Sequence, residues 1–182
     1  MTIDLAQPWE IPGIHEPYLA CTRACAAICL DHHNHPQPAP LQIGGEFSRN
    51  IGLTWPASTQ VHKDTYGEAT STAVIDMGAE CIAIRVTMHC LGKTKLKIAA
   101  SGTGVTGSGT GVDYYLGDAS SGEAFQGLVR IEISGILQNE QRRFRPRLRK
   151  KLAWMARSDS MGPGYAAIVM FGPPSTNLTK RI

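Results

Sequence analysis

The spacing of apolar positions changes along this chain, and the changes mark its elements. Residues 1–16 show no sustained period, and Pro8 and Pro12 block regular structure, so this stretch reads as an irregular arm. From Pro17, a good first-turn residue, Tyr18 to Leu30 carries small or apolar side chains on nearly every face, which predicts a well-buried helix. The prolines of His35-Pro36-Gln37-Pro38-Ala39-Pro40 end it and form a stiff connector. Short extended stretches are expected at Glu46-Phe47 and over Ile51 to Trp55.

The second half is more regular. Glu68 to about His89 reads as a long helix whose core face holds Ala73, Met77, Ile84 and Met88. Gly78 weakens it, and Ile82 to Val86 also suits an extended segment. Strands are predicted over Lys95 to Ala100, Val112 to Leu116 and Gly127 to Gly135, the last rich in the strand formers Leu128, Val129, Ile131 and Ile133. A Gly-rich connection, residues 101–111, separates the first two. Pro146 is expected to open a helix reaching about Arg157, with Leu148, Leu152 and Met155 on its inner face. After Gly162-Pro163-Gly164, Tyr165 to Phe171 is almost wholly apolar, as in a strand buried on both faces. Gly172-Pro173-Pro174 ends it and leaves a polar tail, 173–182. The expectation is one α/β domain spanning 1–182. Its central mixed sheet is flanked by helices and its core, 68–172, runs helix-strand-strand-strand-helix-strand. An N-terminal arm, helix and extended region, 1–60, precede it.

Composition sharpens this picture at a few points. Of the 182 residues, 42% are apolar and 18% charged, a globular balance that argues against wholesale disorder. No apolar run is long enough for a membrane span, and the N-terminus lacks the basic flank and apolar stretch of a secretory signal, so a cytoplasmic protein is expected. The five cysteines are odd in number, and Cys21, Cys25 and Cys29 fall on one predicted helix, so they read as reduced thiols rather than a disulfide framework. The net charge is +3, but Arg142 to Lys151 holds seven of the 18 basic residues and no acid. The rest of the chain has 11 basic against 15 acidic residues. A mildly acidic body with one basic patch suits a polyanionic partner, nucleic acid first; a solvated helix face or an acidic protein partner would also explain it.

Candidate chemistry lies between the predicted strands. Asp113 follows the glycines, and Glu132 sits in Arg130-Ile131-Glu132-Ile133-Ser134. Alternation turns Arg130, Glu132 and Ser134 to one face, and if the two strands pair, Asp113 and Glu132 converge. Two carboxylates so placed can hold Mg²⁺ or Mn²⁺ with positions left for a phosphate oxygen and water. With Gly111-Val112-Asp113 and Glu132-Ile133-Ser134, the element order resembles the core of the PD-(D/E)xK, or restriction-endonuclease-like, nuclease superfamily. The resemblance implies metal-dependent phosphodiester hydrolysis. It makes Asp113 and Glu132 the metal ligands, with Asp76 or Glu80 on the first helix as a further acid. It makes the second helix a source of basic site residues, Arg147, Lys150 and Lys151 among them.

The chain departs from that family at one position: Ser134 stands where a lysine normally orients the water and stabilises developing charge. Either a lysine reaches in from elsewhere, Lys150 first and Lys97 or Lys151 as the others, or the site is inactive. An inactive member would keep the fold and bind nucleic acid or a protein partner in a larger assembly. A bacterial defence setting is an analogy with small effectors of that fold, and a homo-oligomer is compatible with the sequence. Nucleic-acid contacts are assigned to Arg143, Arg145, Arg147, Lys150 and Lys151, and Trp154 is suited to stacking on a base. Zinc is disfavoured: Asp31 to His35 packs three histidines beside the cysteine helix, but the spacing matches no standard zinc module, and the cysteine stripe covers about 12 Å of helix. The Gly-rich segment lacks the Gly-Lys-Ser/Thr ending of a P-loop.

Overall fold

The computed structural model describes residues 1–7, 15–98, 112–118, 128–138 and 141–181. In chain order its elements are β1 (Thr2–Asp4), α1 (Glu16–Asp31), β2 (Ala39–Gly45), β3 (Arg49–Thr54), α2 (Gln60–Tyr66), α3 (Thr72–Leu91), β4 (Lys95–Ile98), β5 (Tyr114–Gly117), β6 (Val129–Ile136), α4 (Gln141–Met155), a 3₁₀ turn (Ala156–Met161), β7 (Gly164–Met170) and β8 (Ser175–Arg181). The fold is α/β. All eight strands form one mixed sheet in the order β1-β3-β2-β8-β7-β6-β5-β4. Strands β4, β5 and β6 are antiparallel neighbours, and β6 pairs parallel with β7 through the α4 crossover. Helix α3 packs on the sheet at β6 and β7 with α1 against it, and α4 packs on the same two strands.

The two long helices form where the apolar pattern places them, and their packing explains two ambiguous features. Ile82, Ala83, Ile84 and Val86 are buried in the middle of α3, so a stretch that also suits a strand is helical between α1 and the sheet. A Cβ on Gly78 would come within 3.0 Å of the Cys25 carbonyl and the Ala26 nitrogen. The glycine that costs helix propensity therefore lets α1 and α3 approach closely. Gly135 plays the same part between β6 and α3, since a Cβ there would meet Ile75 at 2.6 Å. No helix among the described residues is long and apolar enough to cross a membrane.

Three sequence expectations are corrected. The polar tail is strand β8, antiparallel to β7 on one side and parallel to β2 on the other. Its Ser, Thr and Asn side chains give little strand signal, but backbone bonding to two neighbours and the burial of Thr176 and Leu178 decide its structure. The arm is not irregular throughout, because Thr2–Asp4 adds β1 to the edge of β3, held by Arg85, which donates to the Asp4 and Gln7 carbonyls. Helix α4 begins at Gln141, before Pro146 rather than at it. Pro146 lies on the exposed face, where water can satisfy the Arg142 carbonyl that loses its helical donor.

Strand β8 joins the β1-β3-β2 group to the β7-β6-β5-β4 group. Deleting residues 175–182 should therefore unpair both halves at once. The shortened chain is expected to lose cooperative thermal unfolding by circular dichroism, an outcome a solvated tail would not give.

Candidate active site

The site is built from strand register. Tyr114 pairs with Ile131, which sets Asp113 beside Glu132 at the end of β5. The Asp113 N–H donates to the Ile131 carbonyl at 2.9 Å. Two residues further along β6, the Ile133 N–H donates to Asp113 Oδ2 at 2.6 Å. The carboxylate thus takes the place of a backbone acceptor where β5 ends, and this fixes its rotamer. Glu132 shares the α4 face of β6 with Arg130 and Ser134, and all three are buried. The Asp113 carboxylate is close enough for its charge to act on Glu132.

Helix α4 covers that face and delivers cations to it. Lys151 Nζ lies 2.5 Å from Glu132 Oε1, and Arg147 donates to the Ser134 hydroxyl at 3.0 Å and to the Gly135 carbonyl at 2.5 Å. The ammonium beside the acid pair therefore comes from α4, one turn on from the arginine that holds Ser134. Lys150 is exposed beside Trp154, its Nζ 4.8 Å from the ring centre, and Lys151 Nζ lies 5.2 Å from the same centre. The sheet end of the helix is anchored by Arg130. It is fully buried and donates to the Met155 carbonyl and to Ser158 Oγ, and it pairs with Asp159.

Burial dominates the electrostatics. Desolvation pushes both the Asp113 and Glu132 carboxyls above their ordinary range. The Asp113 charge raises Glu132 further, while Lys151 pulls both down without cancelling the effect. Two crowded carboxylates with one ammonium bonded to Glu132 form a site that favours additional positive charge. Glu80 is raised as well, chiefly by burial. Its Oε2 accepts from Tyr114 Oη at 2.6 Å and from Tyr18 Oη, and the two hydroxyls are 3.0 Å apart.

Asp76, Glu80, Asp113, Ser134, Arg147, Lys150, Lys151 and Trp154 all line one cleft of about 370 Å³ between the start of α3 and the flank of α4. Asp76 and Glu80 thus share the cleft, but no group of three or more His, Cys, Asp or Glu side chains converges on a point among the described residues. A neighbouring cleft takes in Arg143 together with Thr72, Asp76 and Arg147. Arg145 is exposed on the outer part of α4. The Gly-rich segment 101–111 and the Lys97 side chain fall outside the described residues. The sequence alone points to Lys150 ahead of Lys151 and gives no role to Tyr18 or Tyr114. The helical phase of Leu148, Leu152 and Met155 carried the missing signal, since Lys151 falls beside that inner face and Lys150 nearly opposite. Nothing in the sequence pairs Tyr18 with Glu80.

The other His and Cys groups have structural work. His33 Nε2 meets the Leu137 carbonyl and His35 Nε2 the Phe171 carbonyl, each at 2.7 Å, tying the end of α1 to the ends of β6 and β7. Cys25, Cys29 and Cys81 are buried in the core as free thiols.

With Asp113 and Glu132 raised, the folded chain retains protons that the unfolded chain has released, in a window from the ordinary carboxylate range toward neutrality. Stability from this pair is present below that window and is lost as pH rises through it. In chelator, the melting temperature should fall between about pH 5 and about pH 8. Asp113→Asn should flatten that fall and melt higher than the parent at the upper pH; an unchanged slope would contradict the reading. No family model matches this chain, and no curated protein or solved structure matches it.

Proposed function

We propose that this chain is a metal-dependent, nuclease-like domain acting on phosphodiesters of nucleic acid, with Asp113 and Glu132 as the metal-holding pair and Lys151 as the site lysine. The observation that carries the reading is the Lys151 ammonium 2.5 Å from Glu132 within a cleft that also holds Asp113. It supplies the charge that Ser134 lacks. The order α3-β4-β5-β6-α4-β7 supports the likeness to the PD-(D/E)xK superfamily. So does the direction of pairing, antiparallel from β4 to β6 and parallel from β6 to β7.

The donor set suits a hard divalent cation. Asp113 and Glu132 offer carboxylate oxygens, the preferred ligands of Mg²⁺ and Mn²⁺, in a spot where burial makes two negative charges costly. When bound, such an ion polarises the phosphodiester and lowers the pKa of a water. The chain's own groups do the rest. Asp113 is held in place by the Ile133 N–H. Lys151 offers its ammonium to negative charge developing on a phosphate oxygen. Arg147 keeps the Ser134 side of the cleft cationic. The α4 cations carry the backbone charge of the substrate, and Arg142, Arg143 and Arg145 add to the positive end of the helix dipole. Five cysteines without disulfide partners suit a cytoplasmic setting.

A second reading, a non-catalytic nuclease-fold subunit holding nucleic acid or a protein partner in a larger assembly, draws on the same lysine. An ammonium bonded to Glu132 already offsets part of the charge a metal ion would meet. Cleavage separates the two. The purified chain should cut nucleic acid in Mg²⁺ or Mn²⁺ and not in chelator, and Asp113→Ala and Glu132→Ala should each abolish cutting. Parent-like cleavage by either variant would refute the assignment. Lys151→Ala should lower kcat by about a hundredfold or more, the scale of losing one charge-stabilising donor. Lys150→Ala should act mainly on KM and reduce the salt dependence of binding. Metal-independent binding without any cleavage would favour the non-catalytic reading.

A further inference from the structure

Trp154 is one of three large apolar side chains exposed among the described residues, and its place is specific: it forms part of the wall of the cleft that holds Asp113 and Lys151. Two ammonium groups, from Lys150 and Lys151, lie over its ring as cation–π contacts, 4.8 and 5.2 Å from the centre. One of those ammoniums, Lys151, is bonded to Glu132. An indole, two cations and the Asp113 carboxylate line one cleft of about 370 Å³, with Glu132 bonded to one of those cations, and these match the parts of one nucleotide. The base would take the place of an ammonium over the ring, and the displaced cation would turn to the adjoining phosphate next to the carboxylates.

We infer that the strand this cleft takes is unpaired: a single-stranded stretch of DNA or RNA whose base stacks on Trp154 while the adjoining phosphate reaches Lys150 and Lys151. The inference rests on the nucleic-acid reading above and adds the substrate's form. Two physical arguments carry it. Inside a duplex both faces of every base are covered by neighbouring bases, so the indole can meet only an unstacked one. The acid pair is also recessed: Glu132 is 3% exposed and bonded to Lys151, and Asp113 lines the cleft. A duplex stays straight over the few base pairs that would have to dip into the cleft, whereas a single strand bends at each nucleotide. Along α4, Arg143, Arg147, Lys150 and Trp154 recur at three- and four-residue spacing, a stripe of about 16 Å that follows one strand. Stacking on an indole does not discriminate among bases, so recognition is of strandedness rather than sequence.

The test measures binding by the full chain with Ca²⁺ in place of Mg²⁺, using labelled oligothymidylate, oligouridylate and the oligothymidylate paired with oligoadenylate. One or both single strands should bind at least about tenfold more tightly than the duplex. Trp154→Ala should remove most of that preference, and Trp154→Phe should restore it, since a phenyl ring stacks but an alanine does not. The two single strands identify the chemistry served: preference for one names DNA or RNA, and equal binding leaves the shared unpaired strand as the ligand. Duplex binding as tight as single-strand binding would overturn the inference, as would a Trp154→Ala variant with its preference intact. Failure to bind any of the three would overturn both the inference and the nucleic-acid reading. Single-strand binding without cleavage in Mg²⁺ or Mn²⁺ would refute the catalytic reading alone.

Discussion

The parallel pairing of β6 with β7 is the constraint from which the site follows. Parallel neighbours cannot be joined by a tight turn, so the chain must leave β6, cross one face of the sheet and return at the start of β7. The crossover is α4, and its packing surface is set by Phe144 and Leu148 against Ile136, Ile168 and Met170. Once those contacts form, helical geometry fixes the rest. Arg147 and Lys151 fall on the flank facing Ser134 and Glu132, and the helix brings its cations to a strand that carries a buried carboxylate. Arg130 secures the far end by gathering the Met155 carbonyl, Ser158 and Asp159 around a fully buried guanidinium. A change that frees α4 from the sheet would therefore dissolve the site without touching any of its acidic groups.

The arrangement sacrifices stability for charge. Seven cations and no acid on one segment repel each other, and three of them, Arg142, Arg143 and Arg145, lie in the first turns of α4, where the helix dipole is already positive. Beneath them, burial raises Asp113, Glu132 and Glu80, each of which would be more comfortable in water. Neither feature is needed to close the core, which the apolar contacts of α1, α3 and the sheet supply. Local rules broken in two adjacent places with opposite signs are what a binding site for an anion and a cation together would produce.

How much of this was legible in the sequence depends on which force decides each element. Where burial decides, the pattern of residues speaks: the apolar circumference of Tyr18 to Leu30 and the run Tyr165 to Phe171 identify α1 and β7 at once. Where backbone pairing decides, it does not: β8 is polar in sequence and lies between two strands, and β1 is three residues whose position depends on β3. The acid pair was legible because alternation and strand pairing are enough to bring Asp113 and Glu132 together. The lysine was legible only as a set of three, because the choice among them rests on the phase of α4 over the sheet. Moving the start of that helix from Pro146 back to Gln141 lengthens the cationic stripe by more than a turn and brings Arg143 onto the cleft flank.

Glu80 shows why position on a helix does not settle a role. It is one turn beyond Asp76, and both line the cleft, so the sequence treats them as alternatives for a third acid. The surroundings separate them. Alternation turns Tyr114 away from the direction of Asp113, toward α3, and there its hydroxyl and that of Tyr18 both bond to the Glu80 carboxylate. Two phenols occupy the lone pairs of Oε2, and Tyr18 belongs to α1, which lies ahead of α3 in the chain. Asp76 shows no such pair of donors among the described residues and is shared between the acid cleft and the arginine cleft beside it. On the proposed reading, Asp76 is therefore the acid free to approach a cation held by Asp113 and Glu132, and Glu80 is the post that fixes α1 and β5 against α3, so that Asp113 stays opposite Glu132.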